Sequence, residues 1–394
     1  MSLIQEKIAQ ASEILRELGV PCWLTFVRET GINGDPVMPF LAPAHLTWHS
    51  ALIVMADGEA HAIVGEMERR TIEETGAYRQ VEGHVQGAKA PLVEFLKRRN
   101  PSAIAVNFST DSEVCDGLTH GMFLTLQSWL AGVGMADRLV SAERIVSALR
   151  ARKTDEELAR MKTAIARTEA IFDRVGTFLK PGVSERDVAD FVAAQVEADG
   201  LGLAWEAGTC PAVFSGPDTA GAHYTPTGRQ VERGHVVNMD FGVKFRDYCA
   251  DLQRTWYVLR DGEAAAPAEV QRGFDTIVQS IEAARQALRP GVTGESIDAV
   301  SRSVITRAGY AEFPHALGHQ VGRYAHDGTA LLGPAWEKYG SRPFVPVETG
   351  MVFTLEPRLT VPGYGVATVE EMVVVTPAGA EFLSGPQTTL RLVP

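Results

Sequence analysis

The sequence predicts a mixed α/β (α+β) protein of two domains, a small N-terminal α/β domain and a larger second part that carries an internal repeat. Three observations lead there. At 394 residues the chain exceeds what one ordinary core holds. Its first third alternates strand-like and helix-like segments, and its remainder repeats a turn motif at matching offsets.

In the first third, Met1 to Gly19 reads as an amphipathic helix through Ile4, Ile8, Ile14, Leu15 and Leu18, closed by the glycine. It lacks the apolar centre of a signal peptide. Strands are expected at Cys22 to Val27, Ala51 to Met55, His61 to Val64 and Ile104 to Val106, with a hairpin turn at Asp57-Gly58. From Glu143 to Glu157 the chain becomes charged and helix-forming, which divides it into domains 1–145 and 146–394.

In the second domain, Leu179-Lys180-Pro181-Gly182-Val183-Ser184 recurs as Leu288-Arg289-Pro290-Gly291-Val292-Thr293. At the same offset Ala198-Asp199-Gly200-Leu201 matches Arg307-Ala308-Gly309-Tyr310, so duplication about a pseudo-twofold axis is expected. Each copy leads to an apolar stretch with a carboxylate on either side of a turn. Asp240 and Asp251 are equidistant from a turn at Lys244 to Asp247, and Glu356 and Glu370 are equidistant from Gly363. If both stretches are hairpins, each pair meets across a ladder about 5 Å apart, where like charges repel. A cation between them would reverse the sign of that effect.

Composition narrows the function. A net charge of −12 argues against a nucleic-acid surface, and no run of apolar residues reaches membrane-spanning length. A cytoplasmic location is the expectation. The cysteines, Cys22, Cys115, Cys210 and Cys249, show no CxxC spacing and are expected to be reduced and buried. There is no GxSxG elbow, P-loop or complete GxGxxG.

Between the hairpins, residues 314–328 hold His315, His319 and His326. His315 and His319 have the spacing of a helical zinc motif, but Ala316 stands where HExxH needs glutamate. Pro314, Gly318 and Gly322 also disfavour a regular helix. The alternative is that one histidine joins the four carboxylates. Four oxygen donors with one nitrogen suit Mn²⁺, Co²⁺ or Zn²⁺ in a dinuclear centre.

Five ordered strings carry a resemblance: Met-Asp-Phe-Gly at 239–242, Asp-Leu-Gln-Arg-Thr at 251–255, Gly-His-Gln-Val-Gly at 318–322, Thr-Leu-Glu-Pro at 354–357, and Val-Glu-Glu-Met-Val-Val-Val-Thr at 369–376. They resemble the ligand motifs of the pita-bread metallopeptidases, which include methionine aminopeptidase, aminopeptidase P and prolidase. The similarity covers roughly residues 150 to 390. The N-terminal α/β domain is similar to that of the creatinase, prolidase and aminopeptidase P branch. The resemblance implies a pita-bread fold and two divalent ions per chain, with Mn²⁺ preferred over Co²⁺ or Zn²⁺. It implies that Asp240 chelates one ion, that His319 and Glu356 bind the other, and that Asp251 and Glu370 bridge them. Glu371 should turn to the opposite strand face from Glu370. His223, His315 and His326 match substrate-contacting or oxyanion-contacting histidines. In the implied mechanism a metal-bridged hydroxide attacks the scissile carbonyl and Glu356 shuttles the proton to the leaving nitrogen.

The branch usually has an arginine two residues before the bridging glutamate, where this chain has Thr368. Arg323 and Arg358 are candidates for binding the substrate carboxylate in its place, with an arginine of the N-terminal domain or of a partner subunit as the alternative. The expected activity is a prolidase-like Xaa-Pro dipeptidase, with aminopeptidase P as the alternative. A creatinase-like hydrolase or a binding homologue without catalysis follows behind, because all five ligand positions are filled. The resemblance further implies a homodimer acting on small peptides.

Overall fold

In the computed structural model, which describes residues 2–217 and 225–394, the chain forms two compact units, Met1–Arg150 and Ala151–Pro394.

The first unit contains α1 (Leu3–Leu18), β1 (Cys22–Val27), α2 (Met38–Leu41), β2 (Ser50–Met55), β3 (Ala60–Gly65), α3 (Arg69–Glu73), β4 (Gln80–His84), α4 (Lys89–Arg99), β5 (Ile104–Val106), α5 (His120–Ala131), β6 (Leu139–Ser141) and α6 (Glu143–Ala151). Its strands form one sheet in the order β4-β3-β2-β1-β5-β6. Alternation along β1 shows why both faces need cover: Trp23 and Val27 pack in one core, and Cys22, Leu24 and Phe26 in the other. α1 closes on Gly19 at φ 66, and the turn between β2 and β3 places Gly58 at φ 95. Ile145, Val146 and Leu149 carry α6 into this unit's core.

The second unit contains α7 (Asp155–Phe178), α8 (Glu185–Ala198), β7 (Gly202–Leu203), β8 (Ala212–Ser215), β9 (Val236–Phe241), β10 (Val243–Phe245), β11 (Tyr248–Cys249), β12 (Leu252–Val258), α9 (Ala268–Ala287), α10 (Gly294–Arg307), β13 (Gly318–His319), β14 (Leu331–Leu332), β15 (Val352–Leu355), β16 (Arg358–Val361), β17 (Gly365–Thr368), β18 (Glu371–Thr376), β19 (Gly379–Phe382) and β20 (Arg391–Val393). The two Leu-basic-Pro-Gly motifs each join a long helix to a shorter one, α7 to α8 and α9 to α10. Gly182 and Gly291 both sit at φ 88, where a side chain would be strained. Their amides donate to Val231 O and Val347 O, each at 2.8 Å.

The two carboxylate hairpins form in different registers. β9 pairs with β12 so that Asp240 lies opposite Gln253, not opposite Asp251 as the equidistance predicts. The reason is the turn: β10 and β11 extend the ladder to Phe245↔Tyr248, and Arg246 and Asp247 make a tight reversal at φ 44 and 69. Asp251 and Gln253, two residues apart, share a face, so Asp240 and Asp251 are diagonal neighbours on it. In the second hairpin β15 pairs with β18 up to Leu355↔Glu371, and β16 with β17 from Arg358↔Thr368. Both ladders follow one register, and Glu356 and Glu370 face each other in the gap between them.

Candidate metal centre

The gap in the second hairpin exists because the backbone groups of both glutamates are used elsewhere. Glu356 N donates to Leu317 O at 2.8 Å, and Glu370 exchanges backbone hydrogen bonds with Gln253 of β12. The second bond joins the two hairpins. Asn238 strengthens the join from β9, donating to Arg254 O, Thr255 Oγ1 and Thr368 O. Thus all four carboxylates converge although they lie on four separate strand ends.

His319 enters from β13, which also packs against β15. Gly318 permits this approach, because a Cβ there would lie 1.9 Å from Thr354 O. His319 Nε2 lies 3.3 Å from Glu356 Oε1 and 3.7 Å from Asp251 Oδ2. Asp251, His319 and Glu370 offer ligand atoms that all lie within 4.8 Å of one another. Thr354 ties His319 to Glu356: its hydroxyl accepts from His319 N at 3.1 Å and donates to Glu356 Oε1 at 3.3 Å.

The electrostatics are those of a site built for cations. Burial pushes Asp240 up to about 7. Burial also raises Asp251 well above the usual carboxylate range, aided by the charges of Asp240 and Glu356. The same cause raises Glu370, with Asp251 and Asp240 adding to it, and Glu356, with Glu370 and Asp240 adding to it. Asp240 Oδ1 is buried and has no hydrogen-bond partner among the described residues. Four buried acids around a single imidazole are costly unless cations or protons compensate them. Four carboxylates and one imidazole fit a pair of divalent transition ions, and the orphaned Asp240 oxygen is an open donor for one of them.

Glu371 is turned away, as strand alternation predicts. It pairs with the buried Arg254 and accepts from Ser384 and from Gln387 N. The remaining predicted residues divide. His326 packs edge-on against His319 with ring centroids 4.0 Å apart. His315 bonds through Nδ1 to Ala316 O at 2.8 Å, and burial, then the charges of Arg358, Arg302 and Lys338, lowers it to about 4. Arg323 lies 3.1 Å from Asp247 and over the Tyr248 ring. Arg358 has no ion pair or hydrogen bond among the described residues, and burial lowers its pKa. His223 lies outside the described residues.

Sequence reasoning missed Thr354, Gln253, Arg254 and the Asp298–Arg302 pair. That pair grips the segment leading into β13: Arg302 holds Phe313 O and His315 O, and Asp298 Oδ1 accepts from Leu317 N. The signal for Thr354 and Gln253 was available, since each stands two residues from a carboxylate on the same strand face. Nothing in the sequence marks Asp298 and Arg302 beyond an i,i+4 charge pair.

Comparison with known proteins matches this architecture. The sequence profile of metallopeptidase family M24 matches residues 159–377. An uncharacterised peptidase of Staphylococcus saprophyticus is 32% identical over 244 residues, covering 62% of this chain and 65% of its own length. This chain therefore spans less than two thirds of that relative. The Xaa-Pro dipeptidase of Bacillus anthracis superposes with a TM-score of 0.73 at 22% identity, covering 99% of this chain and 100% of its own. The X-Pro aminopeptidase of Thermotoga maritima also gives 0.73, at 23% identity, covering 97% and 100%. These likenesses show the fold, a pita-bread unit preceded by an α/β unit.

Proposed function

This chain belongs to metallopeptidase family M24, and we propose that it is a dinuclear-metal Xaa-Pro dipeptidase. The observation that carries this reading is the convergence of Asp240, Asp251, Glu356 and Glu370 with His319; burial raises all four carboxyls, and neighbouring carboxylates add to it at Asp251, Glu356 and Glu370. These five residues would hold the ions, Asp251 and Glu370 between them. When bound, two divalent cations acidify a water and polarise the scissile carbonyl.

The protein's own groups supply the rest. Glu356 takes the proton of the attacking water and returns it to the leaving nitrogen, and Thr354 fixes its orientation. His326, held against His319, donates to the oxygen of the carbonyl as charge develops there. His315 is neutral near pH 7, so its Nδ1–H donates to Ala316 O and Nε2 remains an acceptor for a substrate N–H. His223 keeps a substrate-binding role on its sequence position alone.

Arg358 is the better of the two arginines for the substrate carboxylate. Arg323 is engaged with Asp247 and Tyr248. Arg358 stands directly opposite Thr368 across the β16–β17 ladder and has no described partner. A guanidinium absent from position 368 is thus replaced from the facing strand, on the same side of the sheet. Anchoring a carboxylate one residue beyond the scissile bond selects dipeptides. We take Mn²⁺ as the metal, a homodimer as the assembly and the cytoplasm as the location.

The deciding experiment compares an Xaa-Pro dipeptide with an Xaa-Pro-Yaa tripeptide on Mn²⁺-loaded protein. Higher kcat/KM for the dipeptide is expected. Preference for the tripeptide would make the chain an aminopeptidase P, an activity that the name of the Thermotoga maritima protein also carries. Cleavage of neither, with less than one ion bound per chain, would overturn the peptidase reading.

A further inference from the structure

Glu370 is held by more than its backbone. Gln253, buried beside it, donates from Nε2 to Glu370 Oε2 at 2.9 Å. The other end of the same amide, Oε1, accepts from Thr368 Oγ1 at 3.1 Å. All three side chains are nearly inaccessible, with Thr368 3% and Glu370 1% exposed. The Thr368 backbone is itself fixed, since its carbonyl accepts from Thr255 Oγ1 and Asn238 Nδ2.

An amide has a donor end and an acceptor end of nearly the same shape, so its neighbours must choose its orientation. Turned the other way, Gln253 would aim an oxygen at the Glu370 carboxylate. A hydroxyl proton from Thr368 to Oε1 satisfies the amide oxygen and commits the NH₂ group to Glu370. One lone pair of Glu370 Oε2 is then engaged from behind, which leaves the group's other lone pairs for the cluster it forms with Asp251 and His319.

We propose that Gln253 and Thr368 form a neutral relay that positions Glu370 as a metal ligand. The inference rests on Glu370 being a ligand, as the proposed function has it. It assigns Thr368 a task that a charged residue at that place could not perform in the same way. A guanidinium would orient the carboxylate and also neutralise part of its charge, in competition with the cations. Thr368 and Gln253 orient it without adding charge, so the four carboxylates keep their full charge for the ions. Both are positioning residues, because they act through Glu370.

The test is calorimetric titration of metal-free protein with MnCl₂, together with thermal melts of the metal-free proteins. Thr368→Val removes the hydroxyl at constant shape and is expected to weaken Mn²⁺ binding roughly 10–100-fold, as loss of a group supporting a ligand does. Thr368→Ser keeps the hydroxyl and should retain wild-type affinity. Gln253→Leu should weaken binding as much as Thr368→Val, and the double variant no further, since the two act as a unit. The proposal is overturned if Thr368→Val binds Mn²⁺ like wild type, or if Thr368→Ser loses as much as Thr368→Val. Should Gln253→Leu fail to fold, the Val and Ser variants at 368 decide alone. If wild type binds two ions and the variants bind equally well, only the relay falls. If wild type binds none, the proposed function falls with it.

Discussion

The two carboxylate hairpins solve the same electrostatic problem in opposite ways. In the first, the acids are offset: Asp240 faces Gln253, and Asp251 lies diagonally from Asp240 on the same face. The ladder breaks beside them at Gly242 and Asp251, between β9–β12 and β10–β11, where one bond from Ala250 N to Val243 O spans the break and a Cβ on Gly242 would sit 1.8 Å from Ala250 O. In the second, Glu356 and Glu370 are directly opposed, and the ladder opens between β15–β18 and β16–β17. The freed backbone groups bond instead to Leu317 and Gln253. Both ladders are interrupted beside their acids, but the diagonal pair keeps a bond across the break, whereas the backbone groups of the opposed pair are taken up by other elements.

That contrast can be tested, beginning with the largest effect. Glu356→Gln keeps the shape of the second hairpin and removes its proton carrier, so kcat toward an Xaa-Pro dipeptide should fall roughly 10²–10⁴-fold. A loss under tenfold in steady-state kinetics would move the proton-transfer role off this strand. Arg358→Met should lower kcat/KM for the dipeptide roughly 10–100-fold, through KM, by removing a charge-assisted contact. Arg323→Met should change it far less. Equal effects of the two would dissolve the distinction drawn between the hairpin arginine and the paired one.

Metal removal probes the first hairpin. In the metal-free protein Asp240 titrates near 7, above its unfolded value, so the native state binds that proton more tightly. Its contribution is fully present below the unfolded pKa, near 4, and is lost as pH rises through about 7. Stripping metal with a chelator should therefore lower Tm more at pH 8 than at pH 5, by differential scanning fluorimetry. An equal drop at both pH values would show that the acids are not held apart by cations.

The smallest effect lies at the edge of the site. His315 is lowered to about 4, so the native state takes up its proton less readily than the unfolded chain. Stability from this group is present above pH 6.5 and lost as pH falls toward 4. His315→Asn should flatten that limb of a Tm-against-pH curve, leaving the slope above pH 7 unchanged.

Much of this was legible beforehand, for local reasons. β1, the β2–β3 hairpin and the helix ending at Gly19 follow from short-range pattern and turn chemistry. Glu371 was separable from Glu370 by strand alternation, and it does turn to Arg254. The register of the first hairpin was misread because the reversal at Arg246-Asp247 uses no glycine, so its position is unmarked in the sequence. A shift of one turn position moves the cross-strand partner by two residues, which preserves the face but changes the neighbour.

The sequence by itself determined which side chains share a strand face and which motifs recur, because alternation and turn preference act over a few residues. It thereby named the four acids, and the resemblance to the pita-bread metallopeptidases named His319 as the histidine that accompanies them. Tertiary structure decided that the first pair is diagonal where the second is opposed as its turn predicts, that Gln253 of one hairpin braces Glu370 of the other, and that Arg358 is left with no described partner. The first register follows from a reversal that the sequence leaves unmarked, and the Gln253–Glu370 bridge joins positions 117 residues apart, which local energetics does not encode.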